Sequence, residues 1–195
     1  AEHPDYVLAR LYLAESAIRH ADPVRGAELL NEAVEMTDPA RAAVIQLRLG
    51  SLYESQGQTD QAIASYHSAA ASANPATSAI ALNSIAWLQA TQQNDPSGAL
   101  PSAERAASLA PENPAIVDTL GWVLFLKGEY EKSLPHLLKA RQGLPNLPTV
   151  RYHLGMALLK LGRMDEARAE LTNALAISSG FPEAAEAQEA LKSIQ

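Results

Sequence analysis

Apolar residues recur along the chain at helical spacing in short blocks, and each block ends on glycine, proline or a polar cluster. Over 44–54, Val44, Leu47, Leu52 and the small Gly50 recur at helical spacing, and Gln56-Gly57-Gln58 ends the pattern. A second block, about 60–72, turns Ala62, Ile63, Tyr66, Ala69 and Ala70 inward. Lys127-Gly128-Glu129 and Leu161-Gly162-Arg163 are the matching breaks further on. Between such pairs stand Asp38-Pro39, Asn74-Pro75, Pro111-Glu112-Asn113-Pro114 and Pro145-Asn146-Leu147-Pro148. Proline cannot continue the preceding helix and is tolerated in the first turn of the next. The pattern predicts a succession of short amphipathic helix pairs.

The pairs repeat. Leu49-Gly50, Ile85-Ala86, Leu120-Gly121 and Leu154-Gly155 open equivalent segments, spaced by 36, 35 and 34 residues. About twelve residues later each is answered by Ala62, Ala99, Ser133 or Ala167, and seven beyond those by Ala69, Ala106, Ala140 or Ala174. A weaker first unit places Ala27 and Val34 in these two slots after Ala14-Glu15. Helices that cross at ~8–10 Å need small residues at the crossing to reach the short end of that range. A single pair cannot bury its apolar face alone, so units must stack. Five units result, over about 8–41, 43–76, 79–113, 114–147 and 148–181. A last helix, 181–194, starts at Phe181-Pro182-Glu183 and acts as a cap, with Leu191 and Ile194 over the preceding unit and Glu183, Glu186, Glu189 and Lys192 in water. The amino end has no such cap, and the chain begins without methionine, so a fragment of a longer array or a processed chain is expected.

These residues resemble the tetratricopeptide repeat, a ~34-residue helix–turn–helix with Leu-Gly, Tyr, Ala, aromatic, Ala and Pro at set offsets. Leu49, Gly50, Tyr53, Ala62, Tyr66 and Ala69 match best, followed by Leu120, Gly121, Leu124, Ser133, Leu137, Ala140 and Pro145, then Leu154, Gly155, Leu158, Ala167, Leu171 and Ala174. The resemblance implies an all-α fold, a right-handed α-solenoid of about five helix–turn–helix units plus the C-terminal capping helix. Glu15 stands for the glycine in unit one, Asn31 and Ala103 for the aromatic, and unit three carries an extra loop residue near Asn94-Asp95-Pro96, so units one and three are expected to pack less regularly. Pro101 and Pro135 fall inside second helices, which should start late or bend there. Asp118-Thr119-Leu120-Gly121-Trp122 and Arg151-Tyr152-His153-Leu154-Gly155, with the cap, also look like the carboxyl-terminal part of bacterial repeat proteins of exopolysaccharide production and the PEP-CTERM sorting system. The residues leave the compartment open; this second resemblance favours a periplasmic or membrane-associated setting over the cytoplasm.

In such an array the first helices line the concave side. The residue after each Leu-Gly, and the one four before it, face the concavity. This stripe holds Tyr12, Ser51, Asn83, Trp87, Asp118, Trp122, Tyr152 and Met156, with Phe125, Arg48 and His153 beside it. Aromatic side chains are frequent anchors of binding energy, so the stripe reads as a groove for a peptide or protein segment. Equally, Trp87 and Trp122 read as filler between successive first helices, and Asn83 and Asp118 as solvated residues. The clamp of Lys and Asn side chains with which some family members hold a terminal carboxylate is absent here: Leu47, Ser51, Asn83 and Ser84 occupy the slots, and Arg48 is the one nearby cation.

Composition narrows the chemistry. The chain of 195 residues has a net charge of −7, which argues against nucleic acid as a partner. It lacks cysteine, which excludes disulfides, Cys-ligated zinc and a thiol nucleophile. No apolar run reaches the ~18–20 residues of a transmembrane helix. His3, His20, His67, His136 and His153 form no zinc motif, the carboxylates Glu28, Glu32 and Glu35 form a solvated face, and Asp165 and Glu166 suit a helix start. No catalytic residue, metal ligand or cofactor site is expected. The expected function is a non-catalytic interaction scaffold, with a carbohydrate-associated envelope module, or self-association into a homo-oligomer through the uncapped amino edge, as alternatives.

Overall fold

The computed structural model describes residues 4–194, and His3 lies outside them. Five antiparallel helix pairs follow one another: α1 (Pro4–Arg19) with α2 (Pro23–Glu35), α3 (Pro39–Ser55) with α4 (Thr59–Ala70), α5 (Pro75–Thr91) with α6 (Pro96–Leu109), α7 (Pro114–Leu126) with α8 (Tyr130–Gly143), and α9 (Pro148–Lys160) with α10 (Met164–Ile177). α11 (Ala184–Ser193) closes the array. The pairs stack into an all-α solenoid, each packed on its neighbours.

The helix starts explain themselves. Asp22, Asp38, Asn74, Asp95 and Asn113 each accept a backbone N–H of the helix that follows, with proline in its first turn. Such caps contribute about 1 kcal/mol each and satisfy donors that the helix cannot. The turns inside the pairs need left-handed backbone: Gly57, Gly128 and Gly162 supply it at φ of 69°, 82° and 75°. Asn94 and Ala21 take the same conformation at 54° and 62° without being glycine.

Small residues set the close approach inside each pair. A Cβ on Gly50 would lie 2.5 Å from the Tyr66 ring, and one on Gly121 or Gly155 would lie 2.7 Å from Leu137 or Leu171. Ser133 Oγ donates to the Gly121 carbonyl oxygen at 2.7 Å, twelve residues back. The same twelve-residue relationship places Gly26 against the Ala14 carbonyl. Unit one therefore sits one residue earlier than its sequence suggests. Its small slots are Ala14, Gly26 and Ala33, with Leu30 in the place of Tyr66; Glu15 and Asn31 face solvent.

Unit three does not pack loosely. Ala86, Ala99, Ala103 and Ala106 are all buried, because alanine in the aromatic slot lets α5 and α6 close on each other. Nor do α6 and α8 start late: both run through Pro101 and Pro135, which sit on exposed faces where the freed carbonyl can meet water. At the carboxyl end Ala184, Ala187, Ala190 and Ile194 of the cap region are buried against the preceding unit. Glu183, expected in water, is half-buried and accepts from Thr149 Oγ1 at 3.3 Å.

Candidate functional site

The stripe of residues read from the sequence divides in two. Asp118, Trp122, Phe125, Tyr152 and His153 are buried, and Asn83, Trp87 and Met156 are half-buried. Arg48, Ser51 and Tyr12 are exposed. The first group belongs to α5, α7 and α9; the second to α1 and α3.

In the carboxyl-terminal half, the aromatic side chains pack on one another. Trp122 stacks on Phe125 with ring centroids 4.6 Å apart and on His153 at 4.1 Å. Tyr152 stands 5.7 Å from Trp122 and 6.2 Å from Phe181, and Trp87 reaches across to His153 at 6.2 Å. Trp122 and Phe125 are each 8% exposed. They fill the space between successive first helices, so they do not stand open as anchors for a ligand. Burial also pushes the Tyr152 phenol up to about 12.

Asp118 is not solvated either. Its Oδ2 lies 2.8 Å from His153 Nδ1. A carboxylate oxygen accepts, so Nδ1 donates and Nε2 is left as the second ring position. Asn83, Asp118 and His153 follow at intervals of 35 residues on α5, α7 and α9, and each has a buried side-chain atom without a protein partner: Asn83 Oδ1, Asp118 Oδ1 and His153 Nε2. The carboxyl-terminal half is thus a packed aromatic core that encloses the Asp118–His153 pair.

The amino-terminal half is open. Between α1 and α3 runs a cavity of about 550 Å³, whose floor and walls are Val7, Leu8, Leu11, Val44 and Ile45, with Arg41 and Arg48 at its polar margin. A second cavity of about 350 Å³ adjoins it, lined by Leu11, Ala14, Glu15, Ile18, Leu30, Arg48 and Ser51. Serine at position 51 stands where the next two units carry Trp87 and Trp122, so nothing large fills the gap between these first helices. The register of unit one makes Leu11 and Glu15 the counterparts of Leu47 and Ser51. Tyr12, 72% exposed, is one residue off the stripe and lines neither cavity.

Sequence reasoning thus placed Arg48 and Ser51 at the open site and missed Leu8, Leu11, Arg41 and Val44. Leu11 was hidden by the one-residue shift of unit one. Arg41 carried a signal, since it lies two helical turns before Arg48 on the same face. Among the described residues no group of three or more His, Asp or Glu side chains is placed to hold a metal ion, and no helix is long and apolar enough to cross a membrane.

The family profile described as tetratricopeptide repeat matches residues 47–114, and that of anaphase-promoting complex, cyclosome, subunit 3 matches residues 92–174. No curated protein matches the chain by sequence. Its fold is similar to that of YrrB, a TPR protein with an unusual peptide-binding site, at 18% identity over 92% of this chain and 90% of that one, with a TM-score of 0.67. MamA from Desulfovibrio magneticus RS-1 is similar at 16% identity over 93% and 99%, TM-score 0.74. PilW, a widely conserved type IV pilus biogenesis factor, is similar at 15% identity over 96% and 90%, TM-score 0.73.

Proposed function

The chain is an array of tetratricopeptide repeats, and on that premise we propose that it is a non-catalytic scaffold that takes a peptide or protein segment in the groove between α1 and α3. Tetratricopeptide-repeat proteins are protein-interaction scaffolds, and the structurally similar YrrB has a peptide-binding site. The observation that carries the reading is the cavity of about 550 Å³ between these two first helices, in the size range of pockets that hold ligand side chains. The equivalent space in the later units is occupied by the protein's own tryptophans. A peptide-array scan of wild type against Leu8→Ser tests the site. Peptides retained by wild type and lost by the variant, at unchanged helical content, support it. Peptides held equally by both would move the site elsewhere.

Self-association is a second reading, favoured by Leu13 and Val24, which stand 52% and 64% exposed on the first helix pair. Sedimentation of wild type against Leu13→Ser with Val24→Ser tests it. Stacking of sugars is less well supported, because Trp122, Phe125 and Tyr152 have their faces covered by each other. The net charge of −7 sets the chain against phosphate backbones, and nucleic acid is left out of the proposal. A periplasmic or membrane-associated location and a role in envelope export or exopolysaccharide assembly complete it, and cell fractionation with an antibody to the chain tests the location.

A further inference from the structure

The groove between α1 and α3 carries a charge pattern unlike that of the chain around it. The protein has 22 Asp and Glu against 15 Lys and Arg, yet among the described residues the lining of the 550 Å³ cavity contains no carboxylate and two arginines, and the adjoining cavity adds one carboxylate, Glu15. Most arginines elsewhere are matched to acids, as Arg10 is to Glu32 at 2.5 Å, Arg151 to Glu170 at 2.6 Å, and Arg163 to Glu166 at 2.6 Å; Arg105, which lines neither cavity, is an exception. Arg48 has neither an ion pair nor a side-chain hydrogen bond among the described residues, and it lines both cavities. Arg41 is held only by an exposed contact to Asp38 at 3.5 Å. An unmatched cation on the margin of an apolar trough is a specificity element, because a like-charged or uncharged ligand leaves it without a partner.

The spacing says more. Arg41 and Arg48 lie seven residues apart on one helix face, about 10.5 Å along its axis at 1.5 Å per residue. A polyproline II segment covers about 9 Å in three residues and returns every third side chain to the same side. Carboxylates at positions i and i+3 of such a segment share one side and would therefore meet the two guanidinium groups, while the residues between them turn away from that side toward Leu8, Leu11 and Val44.

Resting on the groove reading above, we propose that the partner is an internal peptide segment in which two acidic residues, three positions apart, bracket apolar ones, and that Arg48 with Arg41 selects it. The segment is bound through side-chain carboxylates, so a free chain end is not required.

The test uses two fluorescein-labelled peptides with acetylated and amidated ends, one containing the run Asp-Leu-Leu-Asp and the other Asn-Leu-Leu-Asn, measured by anisotropy with the whole chain. The acidic peptide should bind at least about fivefold more tightly, a ratio expected of two partly exposed ion pairs. Arg48→Gln should abolish most of that ratio, Arg41→Gln part of it, and higher salt should shrink it, while circular dichroism stays unchanged. If both peptides bind alike, Arg48→Gln is without effect and Leu8→Ser still abolishes binding, the groove reading stands and this inference falls. If neither peptide binds below about 1 mM, or Leu8→Ser changes nothing, both fall.

Discussion

The imidazole of His153 lies almost flat against the indole of Trp122, their centroids 4.1 Å apart and their planes 17° from parallel. One ring comes from α9 and the other from α7, so the stack is a bond between consecutive repeats. With Phe125 on the other side of it, Trp122 is held among its own neighbours and not offered to a ligand.

Truncating such a side chain acts on stability. Trp122→Ala should lower the unfolding free energy by ~3–5 kcal/mol, the usual range for a large aromatic removed from a core. The groove between α1 and α3 is remote in the array, so the affinity of the molecules that remain folded should not change. Urea denaturation followed by peptide anisotropy separates the two. A fall in affinity at unchanged stability would restore Trp122 as a ligand anchor.

The pair of Asp118 and His153 makes a second prediction, through the asymmetry of buried polar groups. Asp118→Leu strands a buried N–H and should destabilise by ~1–3 kcal/mol; His153→Leu strands a buried carboxylate and should destabilise by ~3–5 kcal/mol. The double variant, apolar on both sides, should be more stable than the sum of the two losses implies. A double-mutant cycle by chemical denaturation checks this, and strict additivity would contradict the pairing.

Periodicity made the helix pairs, their breaks and the small crossing residues legible, because Gly50, Gly121 and Gly155 are demanded by contacts within 2.7 Å that any side chain would disturb. The candidate site was legible only in part. A stripe at helical spacing reports which residues share a face; it does not report whether that face is filled. Trp122 and Ser51 occupy equivalent slots, yet the indole is covered by rings from its own and the next first helix while the serine borders a groove. Asp118 looked solvated because its partner lies 35 residues away on another helix.

Burial of two phenols should show in alkaline titration. Tyr66 is raised well above its ordinary value by burial and by its hydrogen bond to Glu54 at 2.8 Å, and Tyr152 is pushed up to about 12 by burial. Both are acids whose neutral form the fold favours. Their contribution to stability is complete below the unfolded value of ~10 and is lost as pH rises through the folded values. Tyr66→Phe and Tyr152→Phe should therefore each remove tyrosinate absorbance that develops only above pH ~10, and the melting temperature of the wild type should fall progressively above that pH.

The left-handed turn at Ala21 stores strain that its glycine counterparts Gly57, Gly128 and Gly162 avoid. Ala21 has φ of 62°, where Gly128 in the equivalent turn has 82° with no side chain to object. Ala21→Gly should stabilise the first helix pair by up to about 1 kcal/mol, and Gly128→Ala should destabilise the fourth by a similar amount. Thermal melts of the two variants should move in opposite directions.

The register of unit one offers the sharpest contrast between adjacent residues. Ala14 is 1% exposed and occupies the crossing slot of α1 against α2, while Glu15 points outward and meets Arg19 at 3.8 Å. Ala14→Leu would overfill the crossing and push α2 away, with a loss of ~1–3 kcal/mol. Glu15→Ala removes an exposed ion pair and should change stability by less than about 0.5 kcal/mol. The register aligned on Glu15 makes the opposite prediction, since alanine would then improve the crossing and position 14 would tolerate bulk. Because the same one-residue shift brings Leu11 into the groove in place of Tyr12, Leu11→Ser should weaken peptide binding where Tyr12→Ser does not. Chemical denaturation of the first two variants and peptide anisotropy of the last two read one structural fact in two independent ways.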